Sequence, residues 1–375
     1  KEKRQMMEYV SLLILGFLLA ALLGRLIIPS ILIISLRKRL FDVPDIRKVH
    51  HRPISRLGGV MFFPVILLTL CGISLLRLYT GMETTTFFGN NIISELLCLM
   101  IGLLLLYIIG VCDDLIGVSY RRKFLVQIMA SAFIPLAGLS IHHFYGLFGI
   151  GEISPWIGVP LTMLLTVFII NAINLIDGID GLASCICMEA LVLLGSGFVL
   201  HGHWMFALLS FACLGALIPF SIYNVFGNAS RGRKIFMGDT GSLTLGFILS
   251  LLSVKYIMVT GQASLNVDGA PVVLVFSLLL VPCLDVCRVV IGRLRRKVHP
   301  FKPDKSHIHH LFLQMGFTPR RSLVLIQLLC VSFIVLTYTL IHMGVPGSWV
   351  FVLDLLIWMI ATLWFNRIIV EKTRL

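Results

Sequence analysis

Long apolar stretches recur along the whole chain, many of them close to membrane-crossing length, and restrict its fold more than any other feature. Met7–Leu23, Leu96–Cys112 and Val272–Leu284 are three of them. A helix needs about 20 predominantly apolar residues to cross the hydrocarbon core of a bilayer. Charged residues make up only 13% of the sequence, against roughly 25% in a typical soluble domain. Because the runs are unbroken rather than alternating, they predict an all-α polytopic membrane protein and not a transmembrane barrel.

The apolar runs between polar breaks predict eleven transmembrane helices in one transmembrane domain that covers residues 1–375. We expect the first run to remain as a helix, since no small-residue cleavage site follows it. No linker, low-complexity tract or clear internal repeat divides the chain. The predicted spans lie near residues 7–34, 59–79, 92–112, 124–141, 157–173, 182–200, 204–223, 241–258, 270–291, 322–341 and 349–367.

Positive charge is distributed unevenly between the two sides of these spans. Most of the 31 Lys and Arg residues fall on one side, in the tail or in loops near residues 35–58, 113–123, 224–240 and 292–321. The positive-inside rule predicts that this side, which also carries the loop near residues 171–183, faces the cytoplasm, with the N-terminus outside and the C-terminus inside. Topology explains most of the net charge of +13, and some of these cations can meet inner-leaflet lipids or a nucleotide. Nucleic acid is not an expected partner, because no soluble basic domain is present.

A pair of adjacent carboxylates, Asp113 and Asp114, follows the apolar run Leu96–Cys112 on the predicted cytoplasmic side. Adjacent carboxylates repel each other and are stable together in water or beside a cation. A solvated helix end is one interpretation of the pair. A divalent ion that takes part in phosphate chemistry is the other.

A row of polar side chains ends the fifth predicted span. Asn171, Asn174, Asp177 and Asp180 recur every three residues. On helical or near-helical backbone, this spacing places four oxygen-bearing side chains along one stripe. The glycines that follow the two aspartates allow the backbone to bend and to approach a ligand closely. A plain helix terminus explains one Asn and one Gly, but not this row.

A third cluster joins the end of the seventh predicted span to the start of the eighth. Asn224 ends one span, and Phe236 precedes Asp239 at the head of the next. Asp239 fits a simple helix cap as well as a metal ligand. Phe236 fits an interfacial hydrophobe as well as a stacking surface for a base.

The loop between the ninth and tenth predicted spans carries three histidines, His307, His309 and His310. A zinc site is one interpretation. The only nearby carboxylate is Asp304, and the many Lys and Arg residues of the loop would repel a metal cation. Binding of an anion therefore fits the surroundings better.

Together, the loops combine oxygen ligands for a hard cation, cationic groups for phosphates and an aromatic side chain for a base. Phosphoryl transfer requires these groups. No Gly-x-Ser-x-Gly setting indicates a serine hydrolase, and no Walker-type loop is present. A transporter of nucleotide sugars or lipid phosphates is the alternative class, although the outer loops are short and carry few ionisable groups.

Five segments in one order resemble the polyprenyl-phosphate N-acetylhexosamine-1-phosphate transferases of glycosyltransferase family 4. The resemblance extends from about residue 45 to residue 317. The matching segments are Arg56–Gly59, Asp113–Asp114, Asn171–Ala183, Phe236–Ser242 and Ser306–His310.

The resemblance implies transfer of N-acetylglucosamine 1-phosphate from UDP-GlcNAc to undecaprenyl phosphate, with release of UMP, as a first step of cell-envelope polysaccharide synthesis. It also implies Mg²⁺, with Mn²⁺ as a substitute, and a bacterial cytoplasmic membrane. Ile308 between two histidines favours this branch over the phospho-MurNAc-pentapeptide transferases. A relative that uses UDP-GalNAc stays open, as does the oligomeric state, with a homodimer as one option.

The family's residue roles follow the matching motifs. Asp239, with Asn174, would hold Mg²⁺, and Asp113 and Asp114 would activate or orient the lipid phosphate. Arg56 and Lys123 would guide that phosphate. The nucleotide and sugar-phosphate would contact Asn171, Asp177, Asp180, Gly181, Asn224, Phe236, His307, His309 and His310, of which His309 would be catalytic.

Overall fold

The computed structural model describes residues 2–38, 40, 54–80, 92–262, 268–299 and 304–374. Within these ranges the chain forms helices and two isolated β-bridges, Ser55–Ile235 and His143–Glu152, and no strand. The all-α prediction is therefore confirmed. The helices are α1 Glu2–Lys38, α2 Phe62–Tyr79, α3 Ile92–Ile116, α4 Tyr120–Leu136, α5 Pro155–Ile176, α6 Leu182–Leu200, α7 Trp204–Val225, α8 Gly238–Gln262, α9 Ala270–Arg295, α10 Ile308–Gln314, α11 Pro319–His342 and α12 Gly347–Arg374.

In the described part of the chain, 10 helices are long and apolar enough to cross a membrane. The chain is thus a multi-pass membrane protein, with one fewer such helix than the eleven predicted. The difference is the predicted span 124–141, which forms the 17-residue α4. Its first turn carries Arg121, Arg122 and Lys123, and it ends just after Pro135, so that its length is about 25 Å at 1.5 Å per residue.

Helix α4 nevertheless connects the two ends of the bundle. Near its start, Lys123 contacts Asp239 at the first turn of α8. Beyond its end, the amide of Ile141 donates to Thr162 near the start of α5, at 2.9 Å. Helix α4 therefore runs antiparallel to both α3 and α5 over the same depth of the bundle.

Helix α8 forms the centre of the bundle and packs against α3, α5, α6 and α9. Its side chains Leu243, Phe247 and Leu252 are fully buried. Two glycines allow neighbouring backbone to approach its first turn. A Cβ on Gly59 would lie 2.2 Å from the Cα of Gly241, and one on Gly110 would lie 2.5 Å from the Cα of Thr240. The start of α8 is consequently fixed on two sides by backbone.

The start of α1 and the end of α12 lie at opposite ends of the bundle. Tyr9 contacts the ring of Trp204, at the start of α7, with 4.9 Å between ring centroids. Lys372 donates to the carbonyl of Met315, just after α10, at 2.9 Å. The ends of α3 and α5 and the start of α8 lie at the same end as α10, and this end carries the motifs singled out above.

Carboxylates inside the apolar helices have polar partners. Glu95 accepts from Lys255 at 2.8 Å, and the same ammonium lies 4.7 Å from the centre of the Phe206 ring. Glu189 accepts from Gln327 at 2.8 Å. Pairing offsets the cost of placing a charge at membrane depth, so these groups join neighbouring helices.

Candidate active site

A cavity of about 480 Å³ opens at the end of the bundle that carries the polar motifs. The cavity is lined by side chains from segments that are far apart in the sequence. Ten of the predicted site residues line it, namely Arg56, Asp114, Asn174, Asp177, Asp180, Asn224, Phe236, Asp239, His309 and His310. The motifs that the sequence places in separate loops thus converge on one cavity.

Asp114 caps the helix that carries Asp239. Its Oδ1 accepts the backbone amide of Asp239 at 2.8 Å, and its Oδ2 accepts the amide and the hydroxyl of Thr240 at 2.9 and 2.6 Å. The first amides of a helix have no partner within the helix, and a carboxylate there also interacts favourably with the helix dipole. Asp114 therefore fixes the position of Asp239.

Lys123 lies between two carboxylates. Its ammonium contacts Asp113 at 3.1 Å and also contacts Asp239. The amide of Asn174 donates to Asp239 at 2.9 Å and to Ser242 at 2.8 Å. The carboxylate of Asp239 is consequently held by a cation on one oxygen and by an amide on the other.

Asp177 and Asp180 follow the end of α5 and form one wall of the cavity. Burial, followed by the negative charges of Asp239, Asp180 and Asp114, raises the pKa of Asp177 to about 7. Asp177 therefore changes charge near neutral pH. Asp180 pairs with Lys234 at 2.5 Å, which brings a cation to the cavity from the segment before α8.

Asn224 joins two of the segments that form the cavity. Its side-chain oxygen accepts the amide of Gly181 at 2.6 Å, and its side-chain nitrogen donates to the carbonyl of Ile235 at 2.9 Å. Asn224 is buried. Loss of the Asn224 side chain would leave these two backbone groups without partners, which is costly in a buried position. Asn224 therefore holds the two segments in fixed positions relative to each other.

The segment around Phe236 pairs with the segment around Arg56. The amide of Phe236 donates to the carbonyl of Ser55 at 2.7 Å, and the amide of Gly58 donates back to the carbonyl of Phe236 at 3.0 Å. This pairing places Arg56 and Phe236 on the same cavity. The cationic residue Arg56 and the aromatic residue Phe236 therefore border the same cavity.

The three histidines have different surroundings. His309 and His310 line the cavity, whereas Nδ1 of His307 contacts the buried carboxylate of Asp285 at 2.9 Å. Burial, followed by electrostatic repulsion from the neighbouring His310 and His307, lowers the pKa of His309 to about 3. Burial also lowers the pKa of His310. His309 is thus neutral at pH 7 and can offer a hydrogen bond but no charge.

Five predicted residues do not line the cavity. Asp113 and Lys123 lie beside the cavity, where Lys123 contacts the cavity residue Asp239. Gly181 and His307 lie behind the residues that line it. Asn171 points elsewhere, because its amide donates to Gln127 on α4 at 2.6 Å. The structure thus places Asn171 between two helices and not at the cavity.

Two residues at the site are missing from the sequence-based prediction. Asp285 and Arg288, on α9, contact the histidine segment, Ser306–His310. A carboxylate three residues before an arginine inside an apolar run was a usable signal, because charged residues in membrane spans are functional candidates by default. Their partners, however, could not be read from the sequence.

The side chains around Asp239 fit a hard divalent cation. Asp113 and Asp239 are close enough to share one ammonium, and Asn174 adds an amide. No group of three or more His, Cys, Asp or Glu side chains is arranged to hold a metal ion in the part of the chain that the structure describes. Mg²⁺ typically binds one or two carboxylates together with substrate phosphates rather than a full protein cage, so the donor set agrees with Mg²⁺.

The chain is similar to known proteins over most of its length. The family model described as glycosyl transferase family 4 matches residues 96–257. A Bacillus subtilis protein named probable undecaprenyl-phosphate N-acetylglucosaminyl 1-phosphate transferase is 30% identical over 323 residues, which cover 86% of this chain and 83% of the relative. The Yersinia pestis undecaprenyl-phosphate alpha-N-acetylglucosaminyl 1-phosphate transferase is 31% identical, over 79% of this chain and 75% of the length of that relative. The decaprenyl-phosphate N-acetylglucosaminephosphotransferase of Mycolicibacterium smegmatis is 32% identical, over 79% of this chain and 74% of the length of that relative.

Proposed function

The chain belongs to glycosyl transferase family 4, and from this premise we propose that it transfers N-acetylglucosamine 1-phosphate from UDP-GlcNAc to undecaprenyl phosphate. The products are UMP and undecaprenyl-diphospho-GlcNAc. The names of the relatives support both the sugar and the lipid. The observation that carries the proposal is the convergence of carboxylates, an amide, cations and an aromatic ring on one 480 Å³ cavity.

In this reaction an oxygen of the lipid phosphate attacks the phosphorus that bears the sugar. One phosphorus–oxygen bond forms, and the bond to UMP breaks with its electron pair passing to UMP. A pyrophosphate bond is exchanged for another, so the enzyme requires no covalent nucleophile. Positioning and charge neutralisation are sufficient, and these are the functions that the cavity's side chains can perform.

Mg²⁺ is part of the proposal. Asp239 and Asn174 would hold it, with Asp113 beside them, and the ion would neutralise charge on the pyrophosphate oxygens. Asp114 holds the helix start that carries Asp239. Arg56 and Lys123 would attract the lipid phosphate, and Lys123 already lies between Asp113 and Asp239.

The nucleoside would occupy the part of the cavity near Phe236, whose ring would stack on uracil. Asp180, Gly181 and Asn224 belong to this part. Because Asn224 bonds backbone on both sides, we assign it the shaping of the pocket rather than a direct contact with the base. His309 and His310 would face the sugar-phosphate.

We further propose that the cavity faces the cytoplasm of a bacterial inner membrane. Exposed arginines lie at the cavity end of the bundle, among them Arg231, Arg233, Arg295 and Arg320. The positive-inside rule supports a cytoplasmic position for such a surface. A nucleotide sugar made in the cytoplasm would then reach the cavity directly.

A panel of UDP-sugars tests the substrate. Protein purified in detergent is incubated with undecaprenyl phosphate, Mg²⁺ and one UDP-sugar, and UMP is measured. We expect UMP release with UDP-GlcNAc that depends on both the lipid and Mg²⁺. Release with UDP-GalNAc or UDP-MurNAc-pentapeptide but not with UDP-GlcNAc would overturn the substrate assignment, and no UMP release with any of the UDP-sugars would overturn the enzyme class.

A further inference from the structure

Asp285 is a buried carboxylate in the middle of an apolar helix. It lies on α9 and is 1% exposed. Its Oδ2 contacts Nδ1 of His307 at 2.9 Å, and its Oδ1 accepts the backbone amide of Ile308 at 3.0 Å. A buried carboxylate is costly unless donors surround it. Here two of the donors come from the histidine segment.

Arg288, one turn further along α9, completes the arrangement. Its guanidinium donates to Asp285 at 2.6 Å and to the backbone carbonyl of Ser306 at 2.5 Å. The Asp285–Arg288 pair therefore binds three consecutive residues, Ser306, His307 and Ile308. Two of these contacts are to backbone, so the path of the chain is fixed as well as one side chain.

The fixed residues lead directly into the cavity wall. Ile308 begins α10, and His309 and His310 follow it and line the cavity. The rings of His307 and His309 are parallel, with 6.0 Å between centroids. Neither Asp285 nor Arg288 lines the cavity. Any effect of this pair on the substrate must therefore pass through the histidine segment.

We propose that the Asp285–Arg288 pair is a positioning element that holds His309 and His310 against the sugar-phosphate part of the nucleotide sugar. This inference rests on the proposed function, because it assigns a role toward that substrate. The nucleoside part of the cavity is formed by other segments, around Asn224 and Phe236. Loss of the pair thus weakens contacts to the sugar-phosphate and leaves contacts to the nucleoside in place.

Binding measurements on the whole protein in detergent separate these two parts of the ligand. UMP reports on the nucleoside part, and UDP-GlcNAc reports on both parts. We expect Asp285→Asn to weaken UDP-GlcNAc binding about 10-fold, which corresponds to about 1.4 kcal/mol, and to leave UMP affinity within about twofold. Equal weakening of both ligands, or of neither, would overturn the proposal.

A double-mutant cycle shows whether Asp285 acts through the histidines. UDP-GlcNAc affinity is measured for Asp285→Asn, His309→Gln and the double variant. We expect the UDP-GlcNAc affinity of the double variant to lie within about twofold of that of whichever single variant binds UDP-GlcNAc more weakly. If the loss of affinity in the double variant equals the product of the losses in the two single variants, Asp285 acts independently of the histidine segment, which would contradict the inference.

Asp354→Asn is the matched control, since Asp354 is also a buried carboxylate in an apolar helix and its polar contact is Thr337 on α11. We expect this variant to bind UDP-GlcNAc as the wild type does. Arg288→Met serves the same cycle if Asp285→Asn does not fold, because Arg288 is partly exposed. If the wild type binds UDP-GlcNAc but forms no lipid product, the proposed function fails while these binding results still decide the role of the pair.

Discussion

Asp114 accepts the backbone amide of Asp239 at 2.8 Å, so that one acidic residue of the site caps the helix that presents another. Both oxygens of Asp114 are engaged by the start of α8. Its neighbour Asp113 instead shares Lys123 with Asp239. The adjacent carboxylates therefore have separate roles: Asp114 supports the start of α8, and Asp113 contacts the ammonium group of Lys123.

Substitution of the two adjacent aspartates should separate stability from turnover. Asp114→Asn removes an acceptor from the buried start of α8 and should destabilise the protein by about 1–3 kcal/mol, the usual cost of leaving a buried donor unsatisfied. Asp113→Asn should lower turnover strongly and retain UDP-sugar binding. Thermal unfolding and steady-state kinetics measure the two effects.

Asp180→Asn is a suitable control for the unfolding experiment, because Asp180 makes a partly exposed ion pair with Lys234, and such pairs contribute little. A melting temperature for Asp114→Asn equal to that of this control would contradict the capping role. Unchanged turnover in Asp113→Asn would remove Asp113 from the mechanism.

Replacement of Lys123 tests the cation position between Asp113 and Asp239. In Lys123→Met the two carboxylates lose their shared ammonium, and like charges at short distance repel. The variant should be less stable than the wild type in EDTA. Mg²⁺ should then raise its melting temperature by more than it raises that of the wild type, because a ligand that binds the folded state stabilises it. An equal or smaller rise would show that Mg²⁺ does not bind beside these carboxylates.

Gly178 lies against the ring of His309. A Cβ at this position would lie 2.0 Å from Nε2 of the ring, so Gly178→Ala must displace the histidine. Overpacking of this kind costs about 1–3 kcal/mol, and we expect turnover to fall about 10-fold or more. Gly292→Ala is the control, since no atom lies within 4 Å of its added Cβ. Equal turnover in the two variants would place His309 outside the mechanism.

The pKa of Asp177 predicts a pH dependence of stability. Because burial raises this pKa from 3.8 to about 7 in the folded protein, the neutral form stabilises the fold below about pH 4, and this contribution is lost as the pH rises through 7. Asp177→Asn does not titrate. In EDTA, its melting temperature relative to the wild type should therefore rise between pH 5 and pH 8. A difference that is constant with pH would show that Asp177 titrates as an ordinary aspartate.

The sequence predicted the helical class and most of the residues that line the cavity, because long apolar runs and clustered polar motifs are local signals. It misplaced Asn171. A step of three residues falls short of the helical repeat of 3.6, so Asn171 and Asn174 are rotated by about 60° from each other around α5, which ends before Asp177. Asn171 consequently faces Gln127, and the row reaches the cavity only from Asn174 onward.

Contacts between distant segments could not be predicted in this way. Asp114 was identified as an acidic residue, but its role as a cap depends on residues more than a hundred positions later. Asp285 was visible as a charged residue in an apolar run, yet its partners follow a loop. Pairings of this kind are set by the packing of α3, α8 and α9, which no local pattern specifies.

The position of the β-phosphate after one reaction tests the central claim most directly. The wild-type protein is incubated with undecaprenyl phosphate, Mg²⁺ and UDP-GlcNAc that is radiolabelled at the β-phosphate, and the lipid and aqueous phases are counted. We predict that the label enters the lipid phase and that the nucleotide product is unlabelled UMP. Label that remains in the aqueous phase as UDP, with GlcNAc alone on the lipid, would contradict the transfer of a sugar 1-phosphate.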